Sequence, residues 1–177
     1  AKKTPGLPYA TAGAGTSMNL AGVMFGQMTG TQLTHVAYKG SGPAITDLLG
    51  GTVDAVFVSA RGVAPHVAAG KAKSIAVVGT QRAPLAGDVR TFEEQGFKGM
   101  EGVGWFGVYL PAATPPGIAQ RLSSAIAKAV KAPENAARIE GLGIIPVGGT
   151  PAELTATMRA DQARWGAVIK AKNIRLE

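Results

Sequence analysis

A chain of 177 residues with 46% hydrophobic and 16% charged side chains has room for one ordinary domain or two small lobes, and its 25 glycines and 11 prolines are spread as punctuation. The absence of cysteine excludes disulfides, thiolate metal sites and a cysteine nucleophile, and apolar stretches such as 103–113, broken by Gly104, Gly107 and Pro111, are too short to cross a bilayer. The formal charge of +7 comes from 18 Lys and Arg residues strewn along the chain with only 6% aromatics, which reads as solvated surface charge and argues against a nucleic-acid site.

Residues 7–11 read as a short strand, followed by the small-residue turn Ala12-Gly13-Ala14-Gly15-Thr16-Ser17 and a helix over 17–28. Leu20, Ala21, Met24, Phe25 and Met28 recur at three- and four-residue spacing along that helix, and Gly30 stands where a left-handed residue ends one. A second strand is predicted over 33–38, then a short helix capped by Ser41, with Pro43 in its first turn and Gly50-Gly51 at its end. The run DAVFVS at 54–59 predicts a strand covered on both faces, 65–69 a short helix, and 74–79 another buried strand. This alternation predicts an α/β lobe with a largely parallel sheet.

Beyond Gly79 the pattern changes. Thr91 with Glu94 predicts a capped small helix, 102–110 a strand, 114–131 a helix of about four turns, and Pro133 to Gly141 another. Residues 144–147 read as a strand. Thr150-Pro151-Ala152-Glu153 is a capping box that opens a last helix, expected to bury Leu154, Met158, Trp165 and Ile169. Two blocks meet at a Gly-rich stretch near 98–103, where a lobe boundary is expected.

The segment with most chemistry in it is Gly13-Ala14-Gly15-Thr16-Ser17. It follows a strand and opens a helix, so its backbone N–H groups gather at the positive end of that helix, and small residues let an anion approach. A carboxylate or phosphate fits such a turn. A plain helix cap by Thr16 or Ser17 explains the same residues. There is no lysine after the glycines as in a phosphate-binding loop, and Met18 stands at the third glycine position of a dinucleotide fingerprint. The turn 38–43 (YKGSGP) and the strand end at Ser59-Ala60-Arg61 are expected at the same edge of the sheet, where α/β proteins hold ligands. Ser59 would emerge there, and Arg61 is a candidate bidentate partner for a carboxylate, although a solvated surface arginine is the commoner outcome. His35 and His66 have no partner at metal-ligand spacing and read as structural or surface residues; no nucleophile elbow occurs, so neither metal, cofactor nor enzymatic turnover is expected.

The stretches GAGTSMNLAG at 13–22, HVAYKGSGPAITDLLGGTVDAVF at 35–57, GWFGVYLPAATPPG at 104–117 and PVGGTPAEL at 146–154, in that order, resemble the substrate-binding receptors of tripartite tricarboxylate transporters, the Bug receptor family. The resemblance implies a periplasmic-binding-protein-like α/β fold of the type II, Venus-flytrap kind. It also implies a periplasmic receptor without catalysis, which binds a small organic acid or amino acid and hands it to the membrane permease of the transporter. It places the family's strand-to-helix turn on Gly13, Ala14, Gly15, Thr16 and Ser17, and so favours the anion site there. On the family pattern residues 1–100 form most of the second lobe and 101–177 the C-terminal part of the first. A family member begins with a further third of chain, and nothing like it precedes Ala1; the expectation is therefore one lobe nearly complete, the other partial, weakened ligand binding and self-association through the partial lobe. An interaction module or sensor without a transport role is the alternative. A small phosphate-handling enzyme would need a catalytic base that the sequence does not offer.

Overall fold

Three parallel strands carry the first part of the chain: β1 (Leu7–Thr11), β2 (Leu33–Ala37) and β3 (Ala55–Phe57), in the spatial order β2-β1-β3. The computed structural model that shows them describes residues 6–100 and 104–172. Parallel neighbours cannot be joined by a tight hairpin. The crossovers are the helices α1 (Ser17–Thr29), from β1 to β2, and α2 (Ser41–Leu49), which carries the chain from β2 past β1 to β3. The path therefore reverses direction across the central strand. Thr11 is level with Ala37 on one side and with Phe57 on the other, so all three strands end at one edge.

Side chains alternate across this sheet as the period of two requires. Ala10 faces Ala44 of α2 and Val53 in a buried cluster, with Val36, Tyr38, Leu48 and Val56 packed around it. Tyr9 and its neighbours point the other way, towards α1. The Tyr9 ring lies 5.1 Å from His35 and 5.7 Å from Phe57, and Phe25 of α1 continues the aromatic contacts to Phe92 and Phe97. Gly30, at φ 61°, ends α1 in the left-handed conformation expected there.

Several sequence expectations need correction. The helix expected over 65–69 is α3 (Ala60–Ala68) and begins earlier, after the N-cap Ser59, with Pro65 in its second turn. Gly40, not Ser41, caps α2. Residues 74–79 form no strand: one isolated bridge joins Val77 to Thr91, and Ile75 is 75% exposed. An apolar run supplies β-propensity, but a strand also needs a neighbour along its length. The capped turn at Thr91 is present as a 3-10 turn, Glu93–Gln95.

The chain divides into two compact units, the second being Trp105–Gly166. It contains α4 (Pro116–Lys131), α5 (Pro133–Gly141) and the part of α6 (Pro151–Lys172) up to Gly166. Lys128 and Lys131 stand in the last turn of α4 and Glu134 in the first turn of α5, each placed to favour its helix dipole. The strands expected over 102–110 and 144–147 are absent among the described residues; 101–103 lie outside them. No ladder partner exists in this unit, and Phe106 is 88% and Val147 69% exposed. Leu154 and Trp165 are half-buried and Met158 and Ile169 exposed, so the face of α6 expected to be buried is largely open.

Candidate functional site

The turn after β1 is shaped by a chain of hydrogen bonds that begins at its foot. Thr11, the last residue of the central strand, is 0% exposed, and its Oγ1 meets the Gly13 carbonyl at 3.1 Å, the Gly13 amide at 3.3 Å and His35 Nε2 at 2.8 Å. Thr16 caps α1: its Oγ1 accepts from the Asn19 amide at 3.2 Å and donates to the Gly13 carbonyl at 2.8 Å. The buried Asn19 takes the Gly15 amide on Oδ1 at 3.1 Å and reaches the Tyr9 hydroxyl with Nδ2 at 3.4 Å. Gly13 (φ 150°) and Gly15 (φ 70°) hold backbone conformations that a side chain would strain.

Two of the glycine amides are thus consumed inside the turn. Among the described residues the amides of Ala14, Thr16, Ser17 and Met18, and the Ser17 hydroxyl, donate to no protein acceptor. Residues 13–17 are half-buried, so this group of donors at the start of α1 is open to solvent. Gly104 lies close by: a Cβ there would stand 3.3 Å from Ser17 Oγ.

The exits of the other two strands flank the turn. Tyr38 and Gly40 donate their amides to the Thr11 and Ala12 carbonyls at 3.1 Å each, which sets the 38–43 loop beside it. The Tyr38 hydroxyl turns away to Asp47 Oδ2 at 2.5 Å, a bond that raises its pKa. Ser59 and Arg61 follow β3 on the other side, at the start of α3. Both are exposed, Ser59 makes no capping bond, and no hydrogen bond joins either to the 13–17 turn among the described residues. The exits of β1 and β3, where the chain path reverses, mark the edge at which open α/β sheets receive ligands.

Burial shifts the supporting pair in opposite senses. The Tyr9 hydroxyl is raised by desolvation, partly offset by Asn19, and His35 is lowered by desolvation, which keeps its ring neutral at neutral pH. Thr11, Asn19, Tyr9 and His35 are the residues that sequence reading missed. The available signal was position: Tyr9, Thr11 and His35 alternate onto the helix-covered face of the sheet, where a polar group must find a partner. Among the described residues no cluster of three His, Asp or Glu side chains is placed to hold a metal.

Comparison with protein families matches residues 1–174 to the tripartite tricarboxylate transporter family receptor (TctC). The chain belongs to this family. A curated relative, the protein in the tcbD–tcbE intergenic region of Pseudomonas sp. (strain P51), is 34% identical over 171 residues, which cover 96% of this chain and 51% of the relative. The chain therefore spans about half the length of most of the curated relatives it matches, and 94% of one, the protein in the clcB–clcD intergenic region of Pseudomonas knackmussii, to which it is 32% identical. Rpa4515 of R. palustris, solved with adipate, is 29% identical with a TM-score of 0.83, over 100% of this chain and 60% of that one. MatC of Rhodopseudomonas palustris, with bound malate, is 26% identical with a TM-score of 0.73, over 92% of this chain and 56% of that one. The chain shares their periplasmic-binding-protein fold, and none of its described helices is long and apolar enough to cross a membrane.

Proposed function

We propose that this chain is part of a periplasmic solute receptor that holds a small carboxylate, without turnover, for delivery to the permease of a tripartite tricarboxylate transporter. The observation that carries the reading is the set of unpartnered donors at the carboxyl edge of the sheet: the Ala14, Thr16, Ser17 and Met18 amides and the Ser17 hydroxyl. A carboxylate oxygen completes such donors, and the positive end of α1 favours its charge. Adipate and malate in the related structures support a dicarboxylate as the ligand class. In this reading Gly13 and Gly15 shape the turn, Ala14, Thr16 and Ser17 contact the anion, and Ser59 and Arg61 approach it from the exit of β3. In the same reading residues 1–100 form most of the second lobe and 101–177 the C-terminal part of the first.

The 177-residue polypeptide on its own is expected to bind weakly, because one wall of donors holds one end of a ligand and leaves the rest in water. Its exposed apolar residues in Trp105–Gly166 favour association with a second copy. The binding test is an amide NMR titration with malate, succinate and adipate. The expected result is a saturable shift confined to the amides of 14–18 and their neighbours at 59–61, with a Kd on the order of 1 mM or weaker. No shift at 14–18 with any of the three acids would remove the reading.

A further inference from the structure

We infer that His35 is a positioning residue for the ligand turn, acting through Thr11 to aim the Ala14 amide outward; the inference rests on the reading that this turn holds a carboxylate. The Thr11 hydroxyl has one proton and two lone pairs, and it is fully buried, so its partners must come from the protein. The Gly13 amide can only donate to it. If His35 carries its proton on Nε2, the ring donates to the second lone pair and the hydroxyl proton is left for the Gly13 carbonyl. Every group is then used once. With the proton on Nδ1 instead, Nε2 would take the hydroxyl proton and the Gly13 carbonyl would lose it.

That carbonyl sets the direction of the next amide. It accepts from Thr11 Oγ1 at 3.1 Å and from Thr16 Oγ1 at 2.8 Å, so both lone pairs are engaged inside the turn. In a planar trans peptide the C=O and the following N–H point in opposite directions. A Gly13 carbonyl pinned inward therefore turns the Ala14 N–H out, away from the protein, where it is one of the unpartnered donors. The bonds run in one sense, from His35 Nε2–H to Thr11 to the Gly13 carbonyl. The His35 ring is itself fixed by its cross-strand neighbour Tyr9, 5.1 Å away, whose hydroxyl serves the other end of the turn through Asn19.

The experiment has three arms on the 177-residue protein. Long-range proton–nitrogen spectra of the unaltered protein should show the Nε2–H tautomer at His35; an Nδ1–H tautomer overturns the inference without any variant being needed. His35→Phe keeps a ring against Tyr9 but has no donor. It should move the Ala14 amide resonance in the ligand-free protein and weaken malate binding by about three- to tenfold, the loss of one hydrogen bond. His35→Gln, whose amide nitrogen can donate to Thr11, should restore most of both; a role in packing alone would be served by Phe and not by Gln. Unaltered protein that binds malate at 14–18, with the same affinity and the same Ala14 resonance in His35→Phe, overturns the role of His35 alone. Amides 14–18 that ignore malate in the unaltered protein overturn the binding reading and any ligand role of His35 with it.

Discussion

Gly22 shows how closely α1 is seated on the central strand. A Cβ at this position would enter the Tyr9 ring, within 2.7 Å of its Cζ and 2.9 Å of its hydroxyl oxygen. The ring cannot swing aside without releasing Asn19 and its place beside His35. Gly22→Ala therefore sets two effects against each other: helix propensity gains about 1 kcal/mol, while overpacking costs about 1–3 kcal/mol or more where the neighbour is rigid. We expect overpacking to win, with a net loss of about 1–2 kcal/mol in urea unfolding and a disturbed Asn19 side-chain resonance. A more stable variant would mean that Tyr9 has a second place to go, and that the turn does not depend on where it sits.

At the scale of elements, the short turn at Glu93–Gln95 carries a pH signature. Glu94 is pulled down to about 2, first by the Arg82 guanidinium and then by the Thr91 amide, which donates to it at 2.7 Å. The folded value lies below that of an unfolded glutamate, about 4.3, so the carboxylate stabilises the fold above that pH and the contribution is lost as pH falls towards 2. In urea titrations Glu94→Gln should trail the unaltered protein by a constant margin from about pH 5 to 7, and the margin should close as pH falls towards about 2. Both partners of the ion pair are substantially exposed, so salt should remove much of the Arg82 share and leave the Thr91 cap. A margin that does not change with pH would leave the gap to packing alone. The capping pairs Thr91–Glu94 and Thr150–Glu153 and the Gly30 stop were legible in the sequence because each is closed within three or four residues of chain. Residues 74–79, 104–110 and 144–147 were misread because whether an apolar run becomes a strand depends on a partner far away in the chain. The site divides in the same manner. The small-residue turn 13–17 could be found locally, but the inward use of the Gly13 and Gly15 amides depends on Thr11, Asn19 and His35, which only the sheet register brings together.

Across the whole molecule, polar and apolar surface are unevenly shared. The residues around the 13–17 turn rest on a sheet whose two faces are covered by helices, whereas the unit Trp105–Gly166 exposes Phe106, Val108, Tyr109, Ile118, Ile145 and Val147. Single exposed apolar residues are ordinary; this many large ones within one small unit are expected to favour association. The formal charge of +7 opposes association at long range, and salt screens that repulsion over about 8 Å under physiological conditions. The 177-residue polypeptide should therefore run as a dimer or larger species in size-exclusion chromatography with light scattering, and more so as salt is raised. Phe106→Ser with Val108→Ser should shift it towards monomer and leave the amide shifts of residues 14–18 with malate in place, since those residues belong to the other unit. A monomer at high protein concentration and high salt would show that this apolar surface is not sticky enough to recruit a second copy.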